Sequence, residues 1–151
     1  MLTSPCVIVS DLHLGAAHPE VERRFLGFLR LLPGRAGSLL INGDLFDFWF
    51  EWRSVIPRRS FRVLAALADV VEAGVPTLWI AGNHDCWEER SVLQRMDFRR
   101  AGHHVTLLDE VEGTQVTFPE LHATVWGRCM LEHEPANKPM AGAPPRKENF
   151  W

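Results

Sequence analysis

An α/β fold built around a parallel sheet is predicted from three features of the chain. Uncharged, largely apolar runs recur at Cys6–Ser10, Ser38–Asn42 and Thr77–Ala81. The segments between them carry apolar residues at helical spacing, and each run gives way to a polar string rich in carboxylates and imidazoles. Alternating strand and helix imply right-handed βαβ crossovers, which would bring all three strings to one edge of the sheet.

The first run, CVIVS, has the composition of a buried strand. After a loop, Pro19 stands at a favourable first helical position, with Glu20 and Glu22 near the positive end of the helix dipole. Val21, Phe25, Phe28, Leu29 and Leu32 keep one face apolar until Pro33-Gly34 stops the helix. SLLIN at 38–42 is the second strand. Ser60–Ala73 is a second amphipathic helix, with Phe61, Leu64, Leu67 and Val71 as its apolar stripe and Gly74 as its terminator. Thr77–Ala81 supplies the third strand. Beyond it, Glu88–Arg100 reads as a helix, and His104–Leu108, Gln115–Phe118 and His122–Trp126 read as further strands whose partners periodicity does not assign. Glu132–Asn149, rich in Pro, Ala, Lys and Glu, reads as a loop.

With 151 residues, 46% hydrophobic and 23% charged, the chain has material for one core, so a single domain over residues 1–151 is expected. A net charge of −3 gives no general electrostatic attraction for nucleic acid, which makes DNA or RNA the less favoured partner. Cys6, Cys86 and Cys129 are odd in number and widely spaced, as expected of reduced thiols. No signal-like segment precedes Cys6 and no apolar run is long enough to cross a bilayer, so a cytoplasmic protein is expected.

The chemistry resides in the three strings: Asp11-Leu12-His13, Gly43-Asp44-Leu45-Phe46-Asp47 and Gly82-Asn83-His84-Asp85. Hard oxygen donors and imidazoles gathered at one sheet edge suit a pair of divalent metals, and such a pair can clamp a phosphate and activate water at neutral pH. Gly15 and the small residues after it predict a turn that lets Asp11 and His13 reach one ion. Asp44 has two oxygens with which to bridge two cations, and Asn83 offers an amide oxygen to the second. His84 would stabilise charge on the phosphoryl group or protonate the leaving oxygen. Asp47, more than Asp85, is expected to accept the other ring hydrogen of His84 and set its orientation. Arg53 and Arg58, with Arg59 and Arg62, either grip a diphosphate or form a solvated helix face. Trp49, with Phe46, Phe48, Phe50 and Trp52, forms either an apolar wall for a substrate or ordinary core.

These strings resemble the calcineurin-like metallophosphoesterase superfamily, whose pattern is D-x-H, GD-x-x-D and GNH-D/E, followed by a lone His and a G-H-x-H. The resemblance spans residues 6–90 and implies a calcineurin-like α/β sandwich. It also implies two divalent metal ions, manganese first, with iron, zinc or magnesium as alternatives. Within the superfamily, NGDLFDFWFEWRSVIPR at 42–58 and GNHDCW at 82–87 are most similar to bacterial UDP-2,3-diacylglucosamine pyrophosphatases. That likeness implies a nucleotide-linked lipid precursor or another phosphorylated small molecule as substrate, and peripheral contact with the inner membrane.

The chain departs from the pattern after Asp85, where no G-H-x-H follows before Trp151. The remaining ligand segments, and with them the C-terminal part of the fold, are therefore expected to be missing. His103, His104, His122 and His133 lack the family context and read as surface or strand-end histidines. HATVWGR at 122–128 is similar to a strand and Gly turn of SbcD-type repair nucleases. The expected function is a metal-dependent phosphoester or pyrophosphate hydrolase. The alternatives are a DNA repair nuclease subunit and a catalytically silent fragment.

Overall fold

A sheet whose strands alternate their side chains between two faces needs a cover on each face. The computed structural model shows how this chain supplies both, and it describes residues 2–47, 58, 60–82, 105–108, 110–129, 138 and 140–146. Strands β1 (Cys6–Val9), β2 (Ser38–Asn42), β3 (Thr77–Ile80) and β4 (Val105–Leu108) form one sheet in the order β1-β2-β3-β4. All three pairings are parallel, with Cys6 opposite Ser38, Leu39 opposite Thr77, and Thr77 opposite Val105. Of the predicted His104–Leu108 strand, the described part, Val105–Leu108, thus joins the core sheet as its fourth strand.

Helices α1 (Pro19–Leu29) and α2 (Phe61–Glu72) make the first two crossovers. Because the strand order never reverses, right-handed crossovers put both on the same face. Phe25 and Leu29 of α1, and Val63, Leu67 and Val70 of α2, pack there on Leu39, Ile41 and Trp79. Leu40, one position out of phase, points the other way and joins Leu78 and Leu108. Strands β5 (Thr114–Phe118) and β6 (Ala123–Gly127) cover that second face, packing Phe118, Val116 and Val125 onto those leucines. Among the described residues β5 and β6 pair with each other alone, antiparallel, with Thr117 and Thr124 hydroxyls 3.3 Å apart across the ladder. The resulting helix, sheet and hairpin layers are the expected α/β sandwich.

The local signals hold with instructive exceptions. At the start of α1, the His18 ring Nδ1 accepts a hydrogen bond from the Glu20 N–H at 3.2 Å. Glu20 also pairs with Arg23 and with Arg24, whose Nε donates at 3.0 Å. The helix ends at Leu29 rather than running to Leu32, because Pro33 disfavours helical backbone at the residue before it. Tight turns then carry the Leu31 and Leu32 N–H groups to Phe28 and Leu29 oxygens, and Leu32 stays buried.

Helix α2 closes on Gly74, whose φ is +85°. The Val75 N–H donates to Val70 O and the Gly74 N–H to Val71 O, a Schellman pattern sealed by the buried pair Val70 and Val75. Its buried stripe is Val63, Leu67 and Val70, not the expected Phe61, Leu64, Leu67 and Val71, and Phe61 is 59% exposed. Nearly every residue from Val63 to Val71 is apolar, so periodicity alone does not single out a face, and the sheet selects one.

His122 is not in a strand. It sits in left-handed conformation (φ 47°) at the end of the short 3-10 turn Pro119–Leu121, with its N–H donating to Pro119 O. Cys6 is a half-buried free thiol, and Cys129 is buried. Cys86, the Glu88–Arg100 helix and His103, His104 and His133 lie outside the described residues. Within the predicted loop at 132–149, the described residues 138 and 140–146 include a turn at 140–142 and no helix or strand. Among the described residues, no helix is long and apolar enough to cross a membrane.

Candidate metal centre

Each candidate ligand string begins where a strand ends. β1, β2 and β3 stop at Val9, Asn42 and Ile80, and Asp11, Asp44 and Gly82 each lie two residues further on. Beyond the strands, the first two loops keep pairing. The N–H groups of Asp11, His13 and Leu14 donate to Gly43 O (3.3 Å), Asp44 O (3.0 Å) and Leu45 O (3.0 Å). Asp47 N–H donates back to Leu14 O at 3.1 Å, and Leu14 and Phe46 form a parallel bridge. Leu14, Leu45 and Phe46 are buried in the helix-side core. Leu14, Leu45 and Phe46 therefore anchor the loops and leave Asp11 exposed and His13, Asp44 and Asp47 partly buried beside them.

The backbone of this zipper is unusual where the candidate ligands sit. Asp11 (φ 53°), His13 (φ 44°) and Asp44 (φ 50°) are three of the four described non-glycine residues in left-handed conformation. Each such residue costs about 1–2 kcal/mol relative to ordinary backbone, and such strain concentrates at functional sites. The result is that one ligand atom from each of Asp11, His13 and Asp44 lies within 4.8 Å of the others. Ligands at about 2.0–2.2 Å from one ion are at most about 4.4 Å apart, so small side-chain adjustments would close the group on a metal. Two carboxylates and an imidazole form a donor set that suits manganese, iron or zinc.

The third string is locked against the second by two glycines. A Cβ on Gly43 would meet the Gly82 Cα at 2.9 Å, and one on Gly82 would fall 2.2 Å from Asp44 Oδ1 and 2.5 Å from Asp44 N. Asn83, His84 and Asp85 follow Gly82 in the chain and lie outside the described residues, as do Trp49 and Arg53. Arg58 is exposed. Phe46 belongs to the core, and the other four aromatics of its cluster lie outside the described residues. Asp47 has its Oδ1 3.5 Å from His13 Nδ1, with both side chains little more than one-third exposed.

Sequence reasoning named Asp11, His13 and Asp44 and missed two features around them. One is Gly82, whose lack of a side chain makes room for Asp44, and the other is the approach of Asp47 to His13. The first was signalled by the glycine opening G-N-H-D. The second carries no local signal, because it depends on the register between two loops.

Fold and cluster together define an α/β protein with a group able to hold a metal at the carboxyl edge of its parallel sheet. The chain belongs to the calcineurin-like phosphoesterase family, whose model matches residues 4–133. It is similar to the UDP-2,3-diacylglucosamine hydrolase of Porphyromonas gingivalis, 39% identical over 90 residues, which are 57% of this chain and 34% of that protein. The enzymes of the same name from Xanthomonas oryzae pv. oryzae (38% identical; 62% of this chain, 37% of the relative) and Stenotrophomonas maltophilia (39%; 52% and 32%) are also similar. The chain covers about a third of the length of these curated relatives.

Proposed function

We propose that this chain, read as one domain, forms the metal-binding core of a phosphoester or pyrophosphate hydrolase that uses two divalent ions, manganese first. The observation that carries the proposal is the cluster of Asp11, His13 and Asp44, all three held in left-handed backbone with ligand atoms within 4.8 Å. Asp11, His13, Asp44 and Asn83 are the proposed metal ligands, with Asp44 as the bridge. Divalent ions there would supply Lewis acidity toward a phosphoryl oxygen and lower the pKa of water. His84 donates a hydrogen bond to the phosphoryl group or a proton to the leaving oxygen, and Asp47, more than Asp85, accepts the other ring hydrogen of His84 and sets its orientation.

The names of the relatives favour a UDP-diacylglucosamine-like substrate. Arg53 and Arg58 would then face its diphosphate and Trp49 its apolar part. A lipid-linked substrate also favours a cytoplasmic protein working at the inner-membrane surface.

Asp44→Ala and His84→Ala test these separate roles. The first should lose bound manganese by elemental analysis and, with it, hydrolysis of a phosphodiester. The second should retain metal and lose rate, by about 10²–10⁴-fold for an acid–base group. Equal metal loss in both would refute the division of roles, and full metal content in Asp44→Ala would refute the site.

A further inference from the structure

We propose that Asp47 is a positioning residue for His13: its carboxylate holds the ring hydrogen on Nδ1 and leaves Nε2 as the nitrogen presented to metal. This inference rests on the metal-site reading above and goes beyond it by naming what orients one ligand. His13 Nδ1 is enclosed within the protein, and Asp47 Oδ1 lies 3.5 Å from it. That distance is at the outer limit of a hydrogen bond, and catalytic-site hydrogen bonds are often long until a ligand is present.

The contact is framed by the backbone. His13 and Asp47 each adjoin one member of the buried bridge, Leu14 and Phe46. Asp47 N–H is tied to Leu14 O and His13 N–H to Asp44 O, so neither Cα can drift relative to the other without breaking the zipper. A neutral imidazole has one bare nitrogen, and a carboxylate facing Nδ1 draws the hydrogen to that side. The bare nitrogen is then Nε2. Carboxylates that orient metal-binding histidines in this way also raise the basicity of the ligand, and losing one costs about 10–100-fold in metal affinity.

The experiment combines long-range proton–nitrogen correlation on the metal-free chain, at a pH where His13 is neutral, with manganese titration of the wild type, Asp47→Ala and Asp47→Asn. The His13 signals are assigned by their absence in His13→Gln. The wild type should show a protonated-type Nδ1 and a bare-type Nε2. Asp47→Ala should shift the hydrogen toward Nε2 and bind manganese about 10–100-fold more weakly, while Asp47→Asn, which retains an acceptor oxygen, should recover part of both. A wild-type His13 with its hydrogen on Nε2, or an Asp47→Ala chain matching wild type in tautomer and affinity, overturns this proposal alone. Failure of the wild type to bind manganese overturns the metal site and this proposal with it.

Discussion

Replacing Gly82 by alanine should damage the candidate site from behind, without touching any ligand. The added Cβ would lie 2.2 Å from Asp44 Oδ1, 2.5 Å from its N and 2.7 Å from its Cγ. Optimal packing separations are about 3.5–4.0 Å, so the β2 loop, the β3 loop or both must give way by about 1 Å. The carboxylate could rotate aside, but the Asp44 backbone nitrogen cannot, since the zipper holds that segment through the hydrogen bonds of its carbonyls to the Asp11 and His13 N–H groups. Overpacking of this kind costs about 1–3 kcal/mol, equivalent to a fall in Tm of about 2–12 °C for a chain of this size. Displacing a candidate ligand by about 1 Å should weaken manganese binding by about 10–100-fold, the scale of losing a contact that supports a metal ligand. Calorimetric titration with manganese and a thermal melt measure both quantities. Gly27→Ala is the control: Gly27 is in α1 with nothing within 4 Å of a built Cβ, so it should stabilise by about 1 kcal/mol and leave metal affinity unchanged. A Gly82→Ala chain with wild-type Tm and wild-type affinity would refute the claim that these loops are locked by glycine contact.

Leu29→Ala should destabilise by about 2–5 kcal/mol in urea unfolding, since Leu29 is fully buried between α1 and the sheet, while folded protein keeps its metal affinity. Glu20 should titrate below its ordinary value of 4.5, because hydrogen bonds from Arg23 first and Arg24 second favour its carboxylate. A group whose pKa is depressed by folding adds stability above its unfolded pKa and loses it as pH falls through the folded value. Arg23→Ala should therefore raise the carbon-detected NMR midpoint of Glu20 toward 4.5.

Much of the scaffold is written in local chemistry. Pro19 and its two acidic neighbours mark the start of α1, and Gly74 marks the end of α2, because a helix terminus is decided by one or two residues and their own backbone preferences. β2 runs from Ser38 to Asn42 as its uncharged run implies, since a strand buried on both faces leaves no alternation to misread. The face that α2 buries was not legible, because apolar residues surround that helix and only the sheet chooses Val63, Leu67 and Val70.

The sequence by itself determined the identities of Asp11, His13 and Asp44 and their places just beyond apolar strands, because ligand chemistry and strand ends are properties of short segments. Tertiary structure decided the rest: the unreversed strand order, the pairing of β5 with β6 over the second face, the left-handed backbone at the three candidate ligands and the approach of Asp47 to His13. These depend on hydrogen bonds such as Asp11 N to Gly43 O and on the contact of Gly43 with Gly82, whose partners are tens of residues apart in the chain. Left-handed backbone is costly even for aspartate and histidine, which tolerate it better than most side chains, and the long-range pairing together with the buried anchors Leu14, Leu45 and Phe46 offsets the strain.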